Sequence, residues 1–178
     1  MKLSMILFLM LSAPTAFAAS ASRYTSVAPK DCRTIESSEL VKNPEIDYYT
    51  GHCPGFDGYT VVISGGDLRY SLGLIYRGRN LNFTRIGSFH EMGSTKIEWR
   101  GPVDSNGGVR RFNSLIYRLS IQAFDDQPGP RNFTRLFVVR LNGTRSCLIG
   151  TVEPSATMNA EARAIADDLS RPCLRVEE

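Results

Sequence analysis

YTVVISGGDLRYSLGLIY, residues Tyr59–Tyr76, is two runs of alternating residues on either side of a glycine pair. Gly65-Gly66 suits a two-residue hairpin turn, because such turns need positive φ. A turn there pairs Ser64 with Asp67, Ile63 with Leu68, Val61 with Tyr70 and Tyr59 with Leu72. The pairs on one face are then apolar, while Val62, Thr60, Arg69 and Ser71 share the other. A slip of one residue would turn every apolar side chain outward, so the pattern specifies the faces strongly.

Further strands follow the same period. In Thr95–Arg100, Ile97 and Trp99 face one way and Lys96, Glu98 and Arg100 the other. In Ser114–Gln122, Leu115, Tyr117, Leu119 and Ile121 alternate with polar residues, and Ile116 breaks the pattern. Arg135–Leu141 (RLFVVRL) is apolar on both faces, which predicts a central strand. Cys147–Glu153 follows the Asn142-Gly143 turn signal, and shorter strands are expected around Cys32–Ser37 and Asp47–Cys53. The period then changes. Met158, Ala162, Ile165, Ala166 and Leu169 are spaced by three and four, as in an amphipathic helix capped by Thr157 or Asn159 and stopped by Pro172. The expected fold is α+β: mainly antiparallel sheet of about six to eight strands with one C-terminal helix.

The first residues bear on the compartment. Met1-Lys2 is a short positive start, Leu3–Leu11 is mostly apolar, and Ala16-Phe17-Ala18 places small residues at both recognition positions of a cleavage site. That pattern predicts a signal peptide over 1–18, cut after Ala18, and a single globular domain over 19–178. No later apolar run approaches the roughly 18 residues of a membrane-spanning helix. The four cysteines, Cys32, Cys53, Cys147 and Cys173, are an even set behind that signal and read as disulfides. Three connectivities are possible. Cys32–Cys53 with Cys147–Cys173 is the expected one, since each bond closes a local loop at one end of the chain. Zinc would need close ligand pairs such as C-x-x-C, which are missing.

LIYR occurs at Leu74–Arg77 and again at Leu115–Arg118, and NFTR at Asn82–Arg85 and Asn132–Arg135. The spacing differs between the two copies and the flanking residues do not align. Strands of similar composition explain this better than a duplication, so two equivalent sites are not expected.

CPGFDGYTVV, GDLRYSL, KIEWRG, LFVVRL, CLIGTVE and ARAIADD, in that order, resemble a family of small secreted bacterial proteins, mainly from alphaproteobacteria. The resemblance runs from about Tyr24 to Cys173. It implies export, this strand order and the two-disulfide scheme. The family has no assigned activity, so it supplies no catalytic residues. It also implies a bacterial setting, where the N-x-T triplets at Asn82, Asn132 and Asn142 carry no glycan meaning.

Catalytic constellations are thin. His52 adjoins Cys53 and His90 precedes Glu91, so a Ser-His-Asp triad must use one of these two. No G-x-S-x-G elbow, S-x-x-K or phosphate-cradling glycine loop occurs. Asp125-Asp126 and Asp167-Asp168 are the paired carboxylates, and adjacent acids are more often solvated surface than acid–base machinery. No metal or cofactor is expected.

Charge is more informative. Residues 69–145 hold twelve Arg and one Lys against five acids, net +8, while the flanking segments 19–68 and 146–178 each net −3. Arg outnumbers Lys 17 to 4, and its rigid fork suits phosphate and carboxylate. Arg69, Arg100 and Arg118, with Arg77 and Arg140, are the candidate binding residues of one sheet face; a plain solvated face is the bland alternative. The expectation is an exported, non-enzymatic domain that binds an anionic envelope component or acidic protein, with nucleic acid disfavoured by export. The alternative is a small secreted hydrolase using His90 or a carboxylate pair.

Overall fold

The computed structural model describes residues 19–35, 48–66, 69–81, 91–92, 94–123 and 131–174. The expected signal peptide, His90, Asp125-Asp126 and the first NFTR copy lie outside the described residues.

The strands form two antiparallel sheets. The six-stranded sheet contains β1 (Ser20–Ser26), β7 (Glu91–Met92), β8 (Lys96–Pro102), β9 (Ser114–Ala123), β10 (Arg131–Arg140) and β11 (Cys147–Val152). Its order is β1-β8-β9-β10-β11, with β7 also pairing with β9. The five-stranded sheet runs β2 (Arg33–Thr34), β3 (Tyr48–Cys53), β4 (Tyr59–Gly66), β5 (Arg69–Tyr76) and β6 (Arg79–Leu81). The short strand expected around Cys32–Ser37 is present as β2, and the expected count is exceeded by β1 and by β6 and β7, which have only three and two residues. Such pieces are too short to show a period. Strand β1 is longer, but SASRYTS carries no apolar alternation, because its outer edge and much of its faces meet solvent.

The hairpin has the expected faces and a different register. Strand β4 runs through both glycines, and Gly66 pairs with Arg69. Ile63 therefore sits opposite Leu72, Val61 opposite Leu74, and Tyr59 opposite Tyr76. The shift is even, so it keeps the apolar residues on one face. It also brings Leu74 and Tyr76 into the paired set, with the Tyr59 and Tyr76 ring centroids 4.6 Å apart.

The inner faces of the two sheets pack together. Val61, Ile63, Leu72 and Leu74 meet Ile97, Trp99, Leu115, Tyr117, Leu119, Phe137 and Val139 in one core. Helix α1 (Met158–Asp167) covers the opposite face of the six-stranded sheet. There Met158, Ala162 and Ala166 close over Ile116, Leu136, Val138, Ile149 and Val152. This third layer explains why Ile116 breaks the alternation of β9 and why β10 is apolar on both sides. Gly150 lets the helix approach, since a Cβ there would lie 2.8 Å from Ile165 Cγ2. The helix ends at Asp167, so Leu169 falls outside it and is 61% exposed rather than part of the apolar stripe. Thr157 holds the N-cap position, but its hydroxyl bonds to the Glu161 carboxylate instead of a backbone N–H.

Both expected disulfides are present, Cys32–Cys53 and Cys147–Cys173. The second fastens the segment after the helix to β11, where the Leu174 N–H also donates to the Leu148 carbonyl at 2.8 Å. No helix among the described residues is long and apolar enough to cross a membrane.

Candidate anion-binding surface

Register decides where the arginines go. Ser22, Arg100, Ser114, Arg140 and Cys147 form one row across the six-stranded sheet. Arg100, Arg118 and Arg140 thus do share a face, and that face is the one under α1. Arg100 is 7% exposed. Its Nε and Nη2 donate to the two carboxylate oxygens of Asp167 at 2.9 and 2.6 Å, and Nη1 donates to Ser22 Oγ at 2.6 Å and Glu98 Oε1 at 3.4 Å. Arg118 donates to Asn159 Oδ1 at 2.9 Å and to Met158 Sδ at 3.1 Å. Arg140 donates to the carbonyls of Arg171 and Asp168 at 2.6 and 2.9 Å. The first turn, the last turn and the exit of α1 are therefore each held by one arginine. These charges serve the chain's own helix, a partner that periodicity within one strand does not reveal.

Glu98 completes this junction. Burial alone would raise its pKa. The hydrogen bonds from Arg163 and Ser22, together with the charges of Arg163 and Arg100, outweigh burial and hold the carboxyl below the usual range. Asp167 guanidinium pairing in turn holds Arg100 firmly charged. A cleft of about 450 Å³ opens beside the Arg100–Asp167 pair, between the end of α1 and the ends of β8 and β9. Within it Arg100 and Asp167 are bound to each other, and the Ser114 hydroxyl donates to the Ala166 carbonyl at 3.1 Å.

Arg69 and Arg77 belong to the other sheet. Arg69 lies beside the hairpin tip, opposite Gly66; its side chain lies outside the described residues. Arg77 is not in a strand, as the LIYR pattern suggested, but in the two-residue turn that joins β5 to β6.

That turn belongs to one end of the sandwich, where four connections lock together. The Arg77 N–H donates to the Gly58 carbonyl at 3.0 Å, and Leu141 N–H to the Asn113 carbonyl at 2.8 Å. Asp57 accepts the Phe112 N–H at 2.7 Å, and Tyr59 Oη accepts the Gly143 N–H at 2.7 Å. Beneath them Phe56 stacks on Phe112 at 4.7 Å and meets the Trp99 ring edge-on at 5.6 Å. The two acids here point into the loops. Asp57 ties down Phe112. Asp104 accepts the N–H groups of Gly108 and Asn106, which hold its carboxyl below the usual range, and also pairs with Arg110 at 2.8 Å. Arg77, Arg79, Arg111 and Arg145 are exposed on the same connections and have no acidic partner among the described residues. Sequence reasoning passed over Arg79, Arg111 and Arg145. Arg79 opens a strand of only three residues and Arg111 and Arg145 lie in loops, so none shows a period; the signal that was present is the excess of arginine beside Gly78, Arg110 and Thr144.

The other candidates stay apart. Asp167 is bound to Arg100. Asp168 is held below the usual carboxylate range by hydrogen bonds from the Ser170 hydroxyl and N–H, so it is not set up as a proton donor near neutrality. His52 is half-buried on β3, opposite Arg33 and Val62. No metal-binding cluster of His, Cys, Asp and Glu occurs among the described residues. No protein-family model, curated protein or solved structure matches the chain.

Proposed function

We propose that the protein is an exported, non-enzymatic binding domain that holds an anionic component of the cell envelope. Two disulfides fit an oxidising compartment, and residues 1–18 have the form of a signal peptide. The observation that carries the reading is the loop end of the sandwich: Asp57 and Asp104 are consumed by backbone ties, and Arg77, Arg79, Arg111 and Arg145 face solvent with no acidic partner among the described residues. The resemblance to small secreted bacterial proteins agrees with this setting.

A docking surface made of exposed arginines on a locked scaffold binds through charge, so its affinity falls with salt. Changing these four residues together to Gln is expected to abolish retention on vesicles containing anionic lipid at low salt, with the unfolding midpoint kept. Retention equal to the wild type would overturn the reading.

A further inference from the structure

Two turns of this loop end share positive φ at both central positions and differ in their residues. Residues 56–59 turn through Asp57-Gly58, with φ of 54° and 81° and a Tyr59 N–H to Phe56 carbonyl bond of 2.9 Å. Residues 76–79 turn through Arg77-Gly78, with φ of 47° and 81° and the Tyr76–Arg79 strand pair closing it. A two-residue turn with both central φ values positive favours Asn-Gly or Asp-Gly, because Asn and Asp tolerate the left-handed region best. The first turn follows that rule. The second puts a long cationic side chain where the backbone disfavours it. Strain of this kind persists at sites where the side chain has a task.

Its surroundings say which task. The Arg77 guanidinium lies over the Tyr76 ring, 5.3 Å from its centroid, which fixes the fork before any ligand arrives. Arg79 follows in the same turn. Arg145 lies two residues beyond Gly143, whose Cβ position is 3.2 Å from that same Tyr76 ring. Arg77 and Arg79 therefore flank Tyr76 in one turn, and exposed Arg145 closes the adjoining turn, whose Gly143 meets the same ring. A single carboxylate is satisfied by one arginine fork, whereas a phosphate monoester carries close to two negative charges and three acceptor oxygens.

We propose that Arg77, Arg79 and Arg145 form a phosphate-binding site, with Arg77 held in the left-handed conformation to present its fork. The proposal rests on the anion-binding reading above and names its ligand class. The test uses the disulfide-bonded chain from Ala19 and two kinds of phosphatidylcholine vesicle of matched surface charge, one containing phosphatidic acid and the other a fatty acid. The expected result is at least tenfold tighter binding to the phosphatidic acid vesicles. Arg77→Asn should remove that preference while raising the unfolding midpoint by about 2 °C, through relief of the turn. Arg33→Gln, exposed on β2 and outside the loop-end surface, should leave the preference in place. Titration with inorganic phosphate separates the sources: movement of the Arg77 Nε–Hε signal at millimolar phosphate assigns the site to the phosphate group itself, and movement only with vesicles assigns it to a lipid headgroup. Equal binding to both vesicles, unchanged in Arg77→Asn, would reject the phosphate site and leave general anion binding standing. No binding to either vesicle would overturn both.

Discussion

Arg100 gives each of its guanidinium nitrogens to a partner, and those partners come from β1, β8 and the end of α1. Its direction was legible, since Arg100 alternates with Trp99 along one strand. Its task was not, because Asp167 lies 67 residues away in sequence and no local pattern links the two. Arg77 is the opposite case. Its place in LIYR looked like strand, and only the positive φ at Arg77 and Gly78 shows a turn. Replacing Arg100 by Met keeps an unbranched apolar stem, removes the guanidinium and strips Asp167 and Ser22 of its hydrogen bonds. Leaving those acceptors unmatched is expected to cost about 2–3 kcal/mol. Urea unfolding followed by the fluorescence of Trp99, the single buried tryptophan, measures it. Anion binding should be unchanged, which separates this arginine from those of the loop end.

At the scale of elements, the faces of the hairpin were legible and its register was not. An alternating run stays in phase after any even slip, so several turns satisfy the same apolar pattern. The choice among them came from the ends: Tyr59 reaches Tyr76 only when the strands run on through Gly66 and Arg69. The helix was legible from its spacing, while its length was overread because Leu169 continues the period past the last helical residue. The junction between helix and sheet is where pH should act. Glu98 has a lowered pKa against an ordinary value of 4.5. Its contribution is therefore complete above that value and is lost as pH falls from there through the lower folded value. Glu98→Gln is expected to be less stable than the wild type near neutrality. The difference should shrink as the pH drops to about 3. Unfolding midpoints across that range decide it: a difference independent of pH would mean that the carboxylate charge does not hold the junction.

At the largest scale the described residues form three layers, five strands on six with one helix over the outer face. The antiparallel class, the C-terminal helix and both disulfides were legible in the sequence, because period, cysteine parity and local loop closure are properties of the chain itself. The division into two sheets was not, since strand neighbours are settled by packing between distant segments. Nor does any local pattern separate arginines that build the molecule from arginines that face outward. Cys147–Cys173 belongs to this scale because it fastens the end of the chain to an edge strand. Changing both to Ser is expected to cost about 3 kcal/mol, as a model of unfolded-chain entropy gives for such a loop. Faster hydrogen exchange in α1 than in β4 and β5 would show that the helix layer loosens first.

The most direct test compares two sets of arginines in one vesicle-binding experiment. One variant carries Gln at Arg77, Arg79, Arg111 and Arg145; the other carries Gln at Arg118 and Arg140. The first is expected to lose binding to anionic vesicles at low salt and to keep its unfolding midpoint. The second is expected to keep binding and to unfold more easily, because it releases the two ends of α1. Loss of binding in the second variant with none in the first would contradict the account and return the binding surface to the sheet face.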